Sequence, residues 1–569
     1  MNLAGRLPGR AFEPKLVSVL RHGYRLGDLR ADAIAGLTVA VVALPLAMAL
    51  AIASGTTPDK GLHTAIVAGF LISVLGGSKV QIGGPTAAFI PVVFNVIERY
   101  GYDGLLLATL MAGVLLVLAG VLRLGNLMKF MPQPVVTGFT AGIAVTIFVS
   151  QIKDALGLSI DKLPGEFFER LHSYASHMGS LQPAALLMTL ACLAVLLGLR
   201  RWRPSWPAFL IVVILGALAG LMMPVATIGS TFGALPTSLP QIQLPVLSLE
   251  HLLVLLPSAF TIAFLAGVES LLSAVVADGM TDGHHRSNAE LVAQGVANVG
   301  SALIGGLPAT GAIARTATSI RAGARSPVAG MAHAMFLLVF MLLGAELMSY
   351  VPLPALAAVL LLVAWNMSEV HRFRHLMRSS HGDRLVLLAT FILTVVFDLT
   401  VAIEVGVVLA AFVFMQRMSQ AVDIQADAKP DSDEMERAGF EQREALPQGV
   451  EACRVSGPLF FAAVNRLDDV FNQIPRGTRV FILRMREVPL IDASGEAALR
   501  ALLNRCQKQG IAAIFSGLQG QPQRTLNLMG LDRHPALIGM EPDFVASLAL
   551  ARTRLAQALP TNTARNDRE

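Results

Sequence analysis

From residue 31 to residue 416 the chain is a near-continuous succession of apolar segments, and this limits its fold more than any single motif. A bilayer core about 30 Å thick is crossed by a helix of roughly 20 apolar residues. Within it every backbone N–H and C=O must be satisfied internally, so spans of this kind are helical. Only 15% of the residues are charged and 54% are hydrophobic. Soluble domains carry about 25% charged residues, so lipid is the expected surroundings for most of the chain.

The hydropathy places spans at 32–54, 61–77, 85–98, 104–122, 132–152, 183–199, 206–223, 253–277, 288–304, 310–320, 327–347, 352–366, 384–397 and 400–416. The polar stretches divide the chain into a basic arm (1–30), a transmembrane domain (31–416), a linker (417–449), a small soluble domain (450–556) and a disordered tail (557–569). The linker holds eight acidic and four basic residues. The net charge of +5 could suggest nucleic acid, but the basic residues fall in short clusters between apolar runs. Membrane topology explains them better. With the arm inside, Arg123, Lys129, Arg200, Arg201, Arg203, Arg321, Arg325, Arg372, Arg374, Arg378 and Arg384 also lie inside, while loop 224–249 carries no charge. Fourteen spans satisfy this rule, and twelve with re-entrant pieces fit the hydropathy equally well. Both termini are then cytoplasmic. No cleavable signal peptide is expected. Cys192, Cys453 and Cys506 suggest neither a disulfide framework nor a metal site.

Two short spans stand out. Residues 83–88 read Gly-Gly-Pro-Thr-Ala-Ala and residues 305–312 read Gly-Gly-Leu-Pro-Ala-Thr-Gly-Ala. Each opens the third span of its half. Paired Gly/Pro interruptions at matching positions point to a transporter's binding site. Two half-helices starting near the midplane would aim unpaired N–H groups at one point, which suits an anion. The alternative is a pair of kinked spans with small residues for close packing.

Arg315 follows the second interruption. A cation at membrane depth costs roughly 2.5–3.5 kcal/mol, and a bound anion beside it would lower that cost. It could instead snorkel or pair with a carboxylate. Glu269, in the apolar run 263–272, is the candidate coupling-ion residue, for a proton or sodium, or else a static ion-pair partner. Asp398 and Glu404 read as structural, and Asp32 as a cap of the first span. Pro45 can break that span beside a cavity or merely kink it.

The segment Pro45-Leu46-Ala47-Met48-Ala49, the Gly84-Pro85-Thr86 opening, the Asn288-x-Glu290-x-x-x-Gln294-Gly295-x-x-Asn298 stretch and the Arg315 helix together resemble the SulP family of anion transporters. The soluble domain resembles a STAS domain, and the likeness runs from about residue 25 to 555. It implies an all-α membrane domain of fourteen spans in seven-plus-seven inverted repeats, divided into core and gate, with a C-terminal α/β STAS domain. It also implies homodimers and an elevator-like movement of the core. The implied anion site comprises Pro45, Leu46, Met48 and Leu50, then Pro85, Thr86 and Ala87, then Ala312, Ile313, Ala314 and Arg315, with Glu269 on the eighth span. Many relatives carry a glutamine after the first-span proline and serines before the arginine. Leu46, Ala312 and Ala314 stand there instead. An apolar wall suits a carbon chain, and the pattern looks closest to the bacterial branch associated with C4-dicarboxylates.

In the soluble domain, strands are predicted at 450–457, 479–484 and 511–516 and helices at 494–508 and 521–530. Asp492-Ala493-Ser494-Gly495 falls where STAS relatives carry a regulatory loop. A phosphate on Ser494 would sit at a helix N-terminus, and the alternative is a plain N-cap.

The sequence therefore predicts secondary active transport of a small anion across a bacterial inner membrane. The expected cargo is a C4-dicarboxylate (succinate, fumarate or aspartate) moved by proton symport. Alternatives are a sulfate or bicarbonate transporter, an uncoupled exchanger or channel, and a STAS-based sensor with a cytoplasmic protein partner. No catalytic triad, metal cluster or nucleotide loop is present in the sequence, so neither an enzyme, a cofactor nor a nucleic-acid partner is expected.

Overall fold

The structure is a computed structural model. It describes residues 12–126, 131–160, 163–203, 206–233, 242, 249–281, 283–397, 399–420, 423–426, 446–460, 474, 475 and 477–557. Arg6, Arg10, Lys129, Asp398, much of loop 224–249, most of the linker and the tail lie outside these residues. The chain divides into two compact units, Met1–Ala410 and Ala411–Glu569.

In the first unit each predicted span falls on a helix. Among the described residues eight helices are long and apolar enough to cross a membrane: Leu26–Ala53, Ala87–Val121, Gln133–Leu156, Pro183–Trp202, His251–Thr281, Val328–Ser349, Leu353–Leu376 and Val401–Gln420. The spans predicted at 85–98 and 104–122 run together in Ile90–Val121, broken by Gly101 at φ 72°. Hydropathy missed several short helices, among them Lys15–Arg21 inside the basic arm and Phe167–Ser176.

The helices form two groups. Leu26–Ala53, Pro58–Leu75, Ile90–Val121, Leu249–Thr281, Ser287–Leu303, Ile313–Arg321 and Val328–Ser349 pack among themselves. Gln133–Ser150, Pro183–Trp202, Ala208–Gly220, Leu353–Met367 and His381–Val396 make the second group. This is the expected core-and-gate division. Ser287–Leu303 lies at the centre of the core, where Gly295 and Gly113 face each other across its contact with Ile90–Val121. A Cβ on either glycine would come within 2.7 Å of the other's carbonyl oxygen. Small residues of this kind let membrane helices approach closely.

Of the two readings of Pro45 the break is not made, and the expectation for Asp32 is corrected. The helix Leu26–Ala53 continues through Pro45 without a break. Asp32 does not cap this helix, which begins at Leu26 behind Arg25. The Asp32 carboxylate instead accepts from the Tyr24 hydroxyl (2.8 Å), the backbone N–H groups of Arg325 (2.6 Å) and Ser326 (3.1 Å), and the Ser326 hydroxyl. It thereby joins the start of the first helix to the start of Val328–Ser349. Glu404 is exposed on the Leu399–Gln420 helix.

The membrane domain is not wholly helical. Gly83–Gly84 (β1) and Thr310–Gly311 (β2) form an antiparallel pair, with Gly83 opposite Gly311 and Gly84 opposite Thr310.

In the second unit a five-stranded sheet has the order β3-β4-β5-β6-β7, where β3 is Asp423–Ala426, β4 Val450–Ser456, β5 Val480–Glu487, β6 Ala512–Ser516 and β7 Leu537–Glu541. Strands β4 to β7 are parallel and β3 is antiparallel. The edge strand β3 lies within the predicted linker, whose polar sequence gave no strand signal. Helices Ala493–Lys508 and Gly520–Leu528 match prediction, and Phe544–Gln557 adds a third. Alternation along β5 feeds both faces: Phe481, Leu483 and Met485 enter one core, Val480 and Ile482 the other.

Candidate functional site

The two Gly/Pro interruptions meet. Their β1–β2 pairing brings residues 83–84 against 310–311, and each strand leads into a helix. After β1, Pro85 and Thr86 open a 3₁₀ turn, Ala87–Phe89, that runs into Ile90–Val121. After β2, Ala312 opens Ile313–Arg321. The first N–H groups of any helix have no intrahelical acceptor. Here both such ends flank one two-stranded crossing inside the protein, so their partial positive charges converge.

Hydrogen bonds fix the crossing from three sides. Ala312 N–H donates to Ile82 O (2.8 Å), and the Thr316 hydroxyl accepts from Ile82 N–H (3.0 Å). Thr310 donates its hydroxyl to Ala266 O (2.7 Å). The Asn298 amide both donates to Ala309 O and accepts from Ala309 N–H, each at 2.9 Å. Glu290, 0% exposed, accepts from Gly77 N–H (2.8 Å), Ser78 N–H (3.1 Å), the Ser270 hydroxyl (2.9 Å) and the Gln294 amide (2.8 Å). Gln81 in turn donates to Ser270. The helix Ser287–Leu303 therefore tethers the approach to β1 through Glu290 and the approach to β2 through Asn298. In the sequence both residues carry only the family resemblance, with no role legible for either. Their spacing of eight places them on one helix face.

Arg315 is the third residue of its helix and 4% exposed. Its side chain turns back across the crossing, and Nη2 donates to Pro85 O (3.1 Å). Nη1 lies where a Cβ on Gly84 would sit 2.5 Å away. Glu269, on Leu249–Thr281, does not pair with Arg315 but accepts from the Thr86 hydroxyl (2.8 Å). The static Glu269–Arg315 pair considered from sequence is therefore not made.

The remaining predicted residues are placed as follows. Pro45, Met48 and Leu50 are buried and Leu46 is half-buried on a helix that packs against Ile313–Arg321. Ala87 and Ala312 are buried, whereas Ile313, 42% exposed, and Ala314 are open at the first turn of their helix. In the second unit Asp492 is the N-cap of Ala493–Lys508 and accepts from Gly495 N–H (2.8 Å). Ser494 lies half-buried in the first turn of that helix. No group of acidic, histidine or cysteine residues suited to a metal is found among the described residues.

A crossing of two broken helices, inside a bundle of apolar helices and beside one buried arginine, defines a membrane carrier for anions. The family model for the sulfate permease family matches residues 29–390, and that for the STAS domain matches residues 447–544. This chain belongs to the sulfate permease family, whose members are multi-pass anion transporters and not enzymes. It is 42% identical over 513 residues to YvdB of Bacillus subtilis, a protein provisionally named a sulfate transporter. That match covers 90% of this chain and 95% of YvdB. It is 29% identical to the bicarbonate transporter BicA of Synechocystis, over 89% of this chain and 91% of BicA. Among solved structures, murine solute carrier 26 family member A9 in an inward-facing state superposes with TM-score 0.85. There the identity is 17%, with 97% of this chain and 96% of that one covered. The transmembrane domain of a cyanobacterial BicA superposes with TM-score 0.60 at 29% identity, covering 67% of this chain and 98% of that domain.

Proposed function

We propose that this chain carries a small inorganic anion, sulfate or bicarbonate, across the inner membrane of a bacterium. The observation that carries the reading is the β1–β2 crossing, which gathers two helix starts and the Arg315 guanidinium. The names of YvdB and BicA support sulfate and bicarbonate. They shift the reading away from the C4-dicarboxylate expected from Leu46, Ala312 and Ala314.

The anion sits against the first turns of Ala87–Phe89 and Ile313–Arg321, with Pro85, Thr86 and Arg315 around it and Pro45, Leu46, Met48 and Leu50 opposite. Glu269 is the coupling residue: bonded to Thr86, it responds to whatever occupies the pocket. A carboxylate at this depth without a cation partner is well suited to take up a proton with the cargo. The carrier works as a homodimer with both termini cytoplasmic and moves its core helices as a body. Asp492 and Ser494 mark the face through which the STAS domain answers to a cytoplasmic partner.

Uptake of labelled sulfate and of labelled bicarbonate into proteoliposomes tests this. Unlabelled succinate, fumarate and aspartate serve as competitors. Arg315→Ala should cut uptake by about tenfold or more, the cost of losing a charged hydrogen bond. Full uptake by that variant would remove the pocket, and strong competition by succinate would restore the dicarboxylate reading. An imposed pH gradient should drive uptake in the native chain and not in Glu269→Gln. Dependence on a sodium gradient instead would replace the proton.

A further inference from the structure

The backbone that enters β2 is bonded residue by residue to side chains of neighbouring helices. The Tyr102 hydroxyl donates to Gly305 O (2.7 Å), and Gly306 N–H donates to Ser301 O (2.7 Å). Leu307 is held at both of its backbone groups. Its N–H donates to Thr64 Oγ1 (2.6 Å), and its C=O accepts from the Ser301 hydroxyl (2.6 Å). Ala309 is held at both groups by Asn298. The approach is close, since a Cβ on Gly306 would come within 2.5 Å of Ser301 Oγ and 2.8 Å of Thr64 Oγ1.

Thr64 differs from the other holding groups in where it stands. It is 0% exposed on Pro58–Leu75, and this helix also carries β1. A Cβ on Gly84 would lie 3.6 Å from Ala65 Cα, one on Gly69 would lie 3.0 Å from Gly83 O, and one on Gly83 would overlap the Ile72 side chain. Residues 65, 69 and 72 recur at i, i+4 and i+7, so they share one helix face. Thr64 adjoins that face. Its hydroxyl proton is committed to Lys60 O (2.7 Å), so towards Leu307 the oxygen can only accept. The direction of the Leu307 bond is thereby fixed by the helix that supports β1.

We propose that Thr64 is a positioning residue for anion binding: by holding Leu307 N–H it fixes the approach to β2 on the same helix that supports β1, and so sets the direction in which Ile313–Arg321 and Arg315 leave the crossing. This rests on the pocket reading above. The β1–β2 ladder is two residues long, and so short a pair is a pivot rather than a clamp. Beyond it Ala312 N–H is bonded to Ile82 O, and before it Leu307 N–H is bonded to Thr64. Both ends of β2 are then held. Loss of the Thr64 hydroxyl frees one end and lets the helix start and Arg315 drift from the cargo.

The test measures the concentration dependence of sulfate and bicarbonate uptake in proteoliposomes. Thr64→Val keeps the shape and removes the hydroxyl. It should raise half-saturation about tenfold, the equivalent of one neutral hydrogen bond, while maximal rate per folded carrier is largely kept. Thr64→Ser retains the hydroxyl and should restore native half-saturation. A merely structural role would lower the amount of folded carrier, and with it the maximal rate, without moving half-saturation. Native half-saturation in Thr64→Val while Arg315→Ala weakens uptake overturns the role of Thr64 and leaves the pocket standing. No effect of Arg315→Ala removes the pocket and this inference with it. Amide exchange on the native chain gives an arm that needs no variant. Saturating sulfate or bicarbonate should slow exchange over 305–309 as well as over 313–316, because coupling between two places is reciprocal. Slowing over 313–316 alone overturns the proposal, and slowing over neither segment removes the pocket.

Discussion

The side chain of Asn298 is bonded to the backbone of Ala309 twice, once as donor and once as acceptor, both at 2.9 Å. It acts as a neighbouring strand would, giving an extended segment partners that β2 alone is too short to supply.

Asn298→Ala should therefore lower the thermal stability of the purified chain. Two buried backbone groups lose their partner, at about 1–3 kcal/mol each. Uptake should fall further than stability, because Ala309 immediately precedes β2. A melting curve compared with uptake at a temperature where the variant is folded checks this. Equal uptake per folded molecule would contradict it.

Gly84→Ala should abolish transport while leaving the second unit unaffected. Gly84 has φ 147°, in the region that favours glycine, and an added Cβ would meet Arg315 Nη1 at 2.5 Å. Either the β1 backbone or the guanidinium must shift. Proteoliposome uptake reads the loss, and native-like uptake would mean that Arg315 is free to move.

Removing the Asp32 carboxylate strands two backbone N–H groups, those of Arg325 and Ser326, and two hydroxyls. Asp32→Ala should cost several kcal/mol, and Tyr24→Phe only about 1 kcal/mol, since it removes one bond from a carboxylate that keeps the others. Paired melting curves give the order. A larger loss for Tyr24→Phe would place the joint elsewhere.

Asp492→Ala removes a helix cap, a change worth about 0.5–2 kcal/mol. Amide exchange over the first turn of Ala493–Lys508 should quicken by roughly two- to thirtyfold, without change in the membrane helices. Unchanged exchange would leave Asp492 free of a structural duty and strengthen a regulatory one.

Burial pushes the Cys453 thiol up to about 12 and the Cys506 thiol up to about 11. The thiolate is the reactive form, so neither should be alkylated at neutral pH in the folded chain. Unfolded thiols titrate near 8.5. The folded state thus retains protons that the unfolded state releases above that pH, and stability of the STAS domain should decline as pH rises from about 8.5 towards 11. Alkylation followed by mass spectrometry, with and without denaturant, checks the first point. Rapid labelling of the native chain would show that this core opens readily.

Hydropathy and small-residue interruptions are enough to locate the long apolar helices and the two segments that meet, because period and composition are local properties; the short helices such as Lys15–Arg21 and Phe167–Ser176 carry no such signal. Glu290 and Asn298 were visible in the sequence as a spacing without a purpose, since their partners at Gly77, Ser78 and Ala309 are backbone groups that no residue type reveals. Asp32 was misread for the same reason: a carboxylate near a helix start suggests a local cap, and its acceptors' true donors lie almost three hundred residues away. Pro45 shows the opposite limit, since a residue that can break a helix need not do so when neighbouring helices hold it.

The pairing of Gly83 and Gly84 with Gly311 and Thr310 has a mechanical consequence. Two helix starts that share rungs of one ladder cannot part like jaws without tearing it. Whichever side of the bilayer the crossing faces, the span between residues 84 and 310 should keep its length, and any hinge must lie outside it.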